Sequence, residues 1–275
     1  MVGYLVAYLL SASVAATGAF YLWACNSSRR SHECRTIQPA AWAYTPTLMS
    51  PEKTSVRIVT LNVQGIPLQG DQSSRRALIE SFLTAQGSRA DVIVVQEAFM
   101  PLFRSCVYRA ASDLGWGVAS ADAHTLPKLT GSGLMMMSRY ALSRCEYRIF
   151  GGGVGSDALA SKGWLSATVG SRLRVTTTHL QNGEQCLGRG VHTSQMHRIC
   201  GDHLEHTDIV LGDFNVPPEQ MLGTGAFHIL APTNMPTFDN RIVLDYALSR
   251  FEGEARTLED VVSDHQPVEV LVKFS

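Results

Sequence analysis

The stretch Asp91-Val92-Ile93-Val94-Val95-Gln96-Glu97 decides how the rest of the chain is read. Four successive apolar residues with no polar alternation predict a strand covered on both faces, as in a sheet buried between layers. Glu97 follows at once, which places a carboxylate at the rim of that sheet, within reach of a hard cation. Five other segments have the same form, a strand joined to a residue that can hold a metal, a phosphate or a proton: Leu61-Asn62-Val63, Thr178-His179-Leu180-Gln181, Gly212-Asp213-Phe214-Asn215, Leu244-Asp245-Tyr246 and Ser263-Asp264-His265. Polar side chains gathered along one sheet edge make a rigid pocket. A carboxylate, amide and imidazole set suits metal-assisted hydrolysis of phosphate esters.

Outward from this stretch, residues 55–61 alternate as a strand that Gly65-Ile66-Pro67 ends. Helical spacing of Leu78, Phe82 and Ala85 predicts a helix over 73–85, and a second is expected over 100–114. Strands are expected over 132–138, 145–150, 163–169 and 172–178. Gly170-Ser171 should join the last two in a tight hairpin, because Gly admits the positive φ such turns need. A helix over 191–204 and strands over 207–211, 242–248 and 267–274 complete the pattern. Helices mixed with hairpins fit two stacked sheets covered by helices better than a parallel barrel.

The bulk numbers bound the function. The chain has 275 residues, 45% of them hydrophobic, and 23 basic against 24 acidic residues give a net charge of −1. Nothing in this balance advertises a polyanionic partner. Residues 1–25 carry no Asp, Glu, Lys or Arg, and as a helix they would rise about 37 Å, enough to cross a bilayer. They read as a transmembrane anchor or a signal peptide. For an anchor, Arg29, Arg30 and Arg35 would place the following domain on the cytosolic side. For a signal peptide, the product would be secreted. Residues 26–53, broken by Pro39, Pro46 and Pro51, read as a linker, and 54–275 as one catalytic domain. Six cysteines (25, 34, 106, 145, 186 and 200) are compatible with disulfides or with small buried hydrophobes.

Asn62 could give an amide oxygen to a cation beside Glu97, since Mg²⁺ takes oxygen ligands. Asp213 and Asn215, two apart on extended chain, point to the same side, and Gly212 would let a substrate approach the backbone. Asp264-His265 sets a carboxylate beside an imidazole able to take a proton from water. His179 could donate to phosphate oxygens as charge builds up on them. His192, His197, His203 and His206 lack the Cys or carboxylate spacing of a zinc set and read as surface residues. There is no Gly-x-Ser-x-Gly elbow, and the glycine-rich run from Gly151 to Gly155 lacks the Lys-Ser/Thr of a phosphate loop.

Taken in order from about residue 55 onward, these segments resemble the endonuclease/exonuclease/phosphatase superfamily. The resemblance implies an α/β (α+β) fold, a four-layer α/β/β/α sandwich with two stacked mixed β-sheets, and Mg²⁺-dependent phosphate-ester cleavage, with Mn²⁺ able to substitute. By motif position it implies that Asn62 and Glu97 hold the metal and that His179 and Asn215 contact phosphate. Asp213 would assist the leaving group or orient water, and Asp264-His265 would serve as general base. Ser161-Lys162-Gly163-Trp164-Leu165, with Lys162 binding substrate, is similar to the Lys-Gly segment of the sphingomyelinase branch, as Asn62-Val63-Gln64-Gly65-Ile66-Pro67 is to its start. That branch implies a phospholipid or sphingolipid substrate at a membrane and no protein partner. Nuclease and inositol-phosphate phosphatase chemistry stand as alternatives. Abasic-site nucleases usually carry an acid where this chain has Gln64, and inositol phosphatases a Cys-Asp-Arg segment, whereas Phe238-Asp239-Asn240-Arg241 lacks the Cys.

Overall fold

The apolar runs become the strands of two sheets packed face to face in a computed structural model that describes residues 35–37, 48–67, 71–121, 128–150, 153–182 and 186–274. One sheet has the spatial order β1 (Arg35–Ile37), β4 (Gly117–Ser120), β5 (Met135–Ser138), β3 (Val92–Gln96), β2 (Ser55–Asn62), β13 (Val268–Lys273) and β12 (Gly253–Thr257). The other has the order β10 (His228–Leu230), β11 (Asp245–Ser249), β9 (Ile209–Asp213), β8 (Leu173–His179), β7 (Gly163–Val169) and β6 (Leu142–Ile149). Both are mixed. β2 pairs with β3, and β8 with β9, in parallel; the other neighbours are antiparallel.

Three apolar clusters fill the spaces between four layers. Ile58, Val94 and Val270 of the first sheet meet Leu165, Val175 and Leu211 of the second. On the outer face of the first sheet, α1 (Gln72–Gln86) and α2 (Pro101–Leu114) bury Ile79, Phe82, Phe103 and Val107 against Leu61, Ile93 and Val95. On the outer face of the second, α3 (Cys186–Arg198) and the turns after it bring Met196, Ile199 and Leu204 onto Trp164, Val210 and Phe214. Asp71 caps α1 by accepting from the amides of Ser73 and Ser74. Helices and sheets thus stack in the α/β/β/α order, with β3 fully buried as its sequence predicts.

Local corrections have physical reasons. Strands β4, β10 and β12 are short edge or near-edge pieces whose patterning is weak, and the sequence does not predict them. Within the stretch read as a linker, Arg35–Ile37 pairs with β4. Gly170 and Ser171 take φ of 58° and 66° in the β7–β8 hairpin, as expected. Gly212 has φ 145°, and a Cβ there would lie 2.1 Å from the Thr178 carbonyl oxygen. Its missing side chain therefore admits the neighbouring strand rather than a substrate. The anchor or signal reading of 1–25 lies outside the described residues. Among those described, no helix is long and apolar enough to cross a membrane. Cys106 and Cys200 are free thiols.

His203, expected at the surface, is buried. Its Nε2 lies 2.8 Å from Thr176 Oγ1 and 3.0 Å from Ser166 Oγ, and its ring packs on Trp164 at 5.0 Å between centroids. Burial, with Arg174 adding to it, lowers its pKa to about 4. The unfolded imidazole titrates near 6.5, so the unfolded chain binds more protons between these values. Stability from this group is complete above about pH 6.5 and falls as pH drops toward 4. The expected loss is on the order of 3 kcal/mol. Urea unfolding at pH 7 and pH 4.5 should show it, and His203→Gln should flatten the slope.

Candidate active site

The strand directions explain why distant segments meet. β2, β3, β8 and β9 all end at one edge of the sandwich and deliver Asn62, Glu97, His179 and Asp213. The strands antiparallel to them begin at that edge. β7 starts just after Lys162, β11 starts at Asp245, opposite Asp213, and β13 starts just after Asp264-His265. Asp245 therefore opens its strand, whereas the sequence pattern puts it near the middle of one. Seven of the expected site residues (Glu97, Lys162, His179, Asp213, Asn215, Asp264 and His265) line one cavity of about 640 Å³. Asn62 lies behind them, its Nδ2 donating to Glu97 Oε1 and to Asp213 Oδ2, both at 3.1 Å. The eight residues converge.

The backbone is strained where it aims these groups. Glu97, Gln64 and Asn215 hold φ of 58°, 47° and 51°, each a conformation that costs a residue with a Cβ on the order of 1–3 kcal/mol and persists where the surroundings impose it. At Glu97 this turn brings the carboxylate back beside Asn62.

His265 is held by carboxylates on both ring nitrogens. Its Nδ1 lies 2.8 Å from Asp245 Oδ2, so Nδ1–H donates there and Nε2 faces Asp213 Oδ2 at 3.7 Å. The ring packs on Phe238 at 4.7 Å. Burial pulls its pKa down, but the carboxylates of Asp245 and Asp213 outweigh that and hold it up at about 10. Asp245 is thus the carboxylate that orients the ring, a contact that its place in the sequence does not reveal. The residue adjacent to His265 in the chain, Asp264, turns away to accept from Gln64 Nε2 at 2.5 Å. Exchange of Asp245 for Asn should bring the His265 titration down toward the ordinary imidazole range, read from the ring protons by NMR. An unshifted titration would deny Asp245 this role.

Asp213 is buried, and burial lifts its pKa to about 6 against the opposing pull of His265. Its Oδ1 accepts from the Asn215 amide at 2.8 Å. His179 is neutral, because burial and the nearby Lys162 push its pKa well below the usual value. Its Nε2 accepts from Lys162 Nζ at 3.0 Å, while its Nδ1 is buried with no partner. Lys162 also donates to Leu180 O at 2.6 Å and pairs with Asp157 at 2.9 Å. The Asn215 side chain donates to the same carbonyl at 3.0 Å. His192, read as a surface residue, is instead buried at the cavity wall, its Nε2 2.8 Å from Phe214 O. Single histidines give no sequence signal for such partners.

A divalent cation fits the donor set. Glu97 Oε2 is buried with no hydrogen-bond partner, an arrangement that costs free energy unless something cationic meets it. Burial raises the Glu97 pKa to about 7, against the opposing pull of Lys162 and Asn62. Asn62 Oδ1 accepts from the Gln64 amide at 2.9 Å and keeps a second lone pair. Ligand atoms of Asp213, Asp245 and His265 lie within 4.8 Å of one another, so anionic charge extends across the cavity floor.

This sandwich with an acid, amide and imidazole edge defines a phosphoester hydrolase. Residues 59–265 match the Endonuclease/Exonuclease/phosphatase family, and the chain belongs to that family. In fold it is similar to beta toxin from Staphylococcus aureus, solved with bound magnesium ions, at 17% identity and TM-score 0.70, over 80% of this chain and 100% of that one. Sphingomyelinase C from Streptomyces griseocarneus gives 20% identity and TM-score 0.64 over 80% and 100%. D. rerio TDP2 complexed with a single-strand DNA product gives 16% and 0.59 over 80% and 99%. No curated protein matches the chain in sequence.

Proposed function

We propose that this chain is a Mg²⁺-dependent phosphodiesterase of the sphingomyelinase type, releasing a phosphorylated head group from a lipid. One observation carries the choice of substrate. Among the described residues, the cavity lining contains a single Lys or Arg, Lys162, and it is buried and paired with Asp157. A nuclease neutralises several phosphates with basic side chains along its groove, whereas a single phosphodiester with a small head group needs one such contact. The uncharged segment 1–25 supports a place at a membrane.

Glu97 and Asn62 would hold the cation, whose positive charge would polarise the phosphate and offset the carboxylates around His265. His265 takes a proton at Nε2 from a water, which attacks phosphorus. Asp245 fixes the ring with Nδ1–H toward it. Lys162, His179 and Asn215 surround the phosphate oxygens. The proton that His265 has taken passes to Asp213, 3.7 Å away, and from there to the departing alkoxide oxygen.

The test offers sphingomyelin, lysophospholipid, plasmid DNA and an inositol phosphate side by side, each with Mg²⁺ and with EDTA. Phosphocholine release that EDTA abolishes is expected. Plasmid cleavage without lipid turnover would overturn the substrate assignment.

A further inference from the structure

Eight large hydrophobic side chains stand exposed among the described residues, and three of them line the same cavity. Leu222 is 55% exposed, and Ile66 and Ile242 are each 36% exposed. The polar groups of the cavity floor, Glu97, His179, Asp213 and His265, are largely or fully buried. The three aliphatic side chains therefore stand at the mouth and the chemistry at the bottom. They come from three separate segments: the turn after β2, the loop between β9 and β10, and the loop before β11. Exposed aliphatic groups around an active cavity lose hydration free energy until something apolar covers them.

We propose that Ile66, Leu222 and Ile242 form an apolar collar that seats the cavity mouth on a net-neutral lipid surface. The lipid character of the substrate rests on the reading given above. The occupant must leave the cavity open to substrate, because the collar and the cavity are one continuous surface. A bilayer meets that condition by presenting a head group to the floor while its hydrocarbon covers the collar. The charge of the surface follows from the rim. Arg241, beside Ile242, is paired with Asp239 at 3.3 Å, and the one lysine of the cavity is buried and paired. Attraction to anionic lipid needs free basic residues at the contact, and none lines this mouth among the described residues.

The experiment uses the full chain. In Leu222→Trp, vesicles of phosphatidylcholine brominated in the acyl chain should quench fluorescence beyond the wild-type signal, equally at low and high salt. In a second arm, Ile66→Ser, Leu222→Ser and Ile242→Ser are combined. Turnover on sphingomyelin–phosphatidylcholine vesicles should then fall on the order of tenfold more than turnover of soluble bis(4-nitrophenyl) phosphate, as expected when aliphatic burial at the surface is lost. Should the triple variant fail to fold, Leu222→Ser alone gives the same comparison with a smaller ratio. Equal losses on both substrates, no added quenching in Leu222→Trp, or binding that requires anionic lipid would each overturn the collar. Quenching of the introduced indole with no sphingomyelin turnover by the wild type would uphold the collar and remove the head-group assignment. Sphingomyelin turnover with that indole unquenched would do the reverse.

Discussion

Replacing His265 with alanine is expected to lower turnover about 10²–10⁴-fold, the range for loss of a positioned general base, with KM little changed. The ring touches the cavity on one side and Asp245 on the other, so the loss falls on proton transfer and not on the packing of either sheet. Near-ultraviolet circular dichroism should stay native. The substitution leaves the Asp245 carboxylate buried without its imidazole, which costs stability, so His265→Gln, which can still donate toward Asp245, is the companion variant. Both should be inactive, and the glutamine form should unfold at the higher temperature. Purified His265→Ala with near-normal turnover would remove His265 from the mechanism.

Glu97→Gln should nearly abolish activity by a different route. The substitution keeps shape and removes the charge that would hold the cation, and a drop of at least about 10²-fold in Mg²⁺ affinity is expected. Stability separates this from a structural defect. In the cation-free protein the raised Glu97 pKa means that the folded state binds the extra proton between pH 4.5 and about 7. The buried charge therefore costs stability above pH 7, and that cost fades as pH falls toward 4.5. The amide variant should be as stable as the wild type without Mg²⁺, or more so, and should lose the rise in melting temperature that Mg²⁺ gives the wild type. That rise should shrink below pH 7 in the wild type, where protons compete for the carboxylate. An unchanged Mg²⁺-induced shift in Glu97→Gln would exclude Glu97 as a ligand.

Much of this architecture is legible in the residues. The unbroken run Val92–Gln96 announces a doubly covered strand, and strong patterning locates β7 and β8 to within a residue. The residues that converge on the cavity are legible because strand ends combine an apolar run with an abrupt Asp, Asn, Glu or His. What escapes is what depends on long-range partners. The pairing of His265 with Asp245 joins residues 20 apart that meet only because β11 and β13 start at the same edge. His192 and His203 look alike in sequence to exposed histidines, and only the carbonyl of Phe214 and the hydroxyls of Ser166 and Thr176 make them core residues. Edge strands such as β12, with its charged Glu254 and Arg256, read as loop because half their surface faces water.

The two sheets are not filled in sequence order. β1 to β5 begin the first, β6 to β11 make up the second, and β12 and β13 return to the first, with His265 just ahead of β13. His265 therefore meets Asp245 only with the closing hairpin in place beside β2. Docking of that hairpin thus both completes the first sheet and brings an imidazole to the two carboxylates of the second.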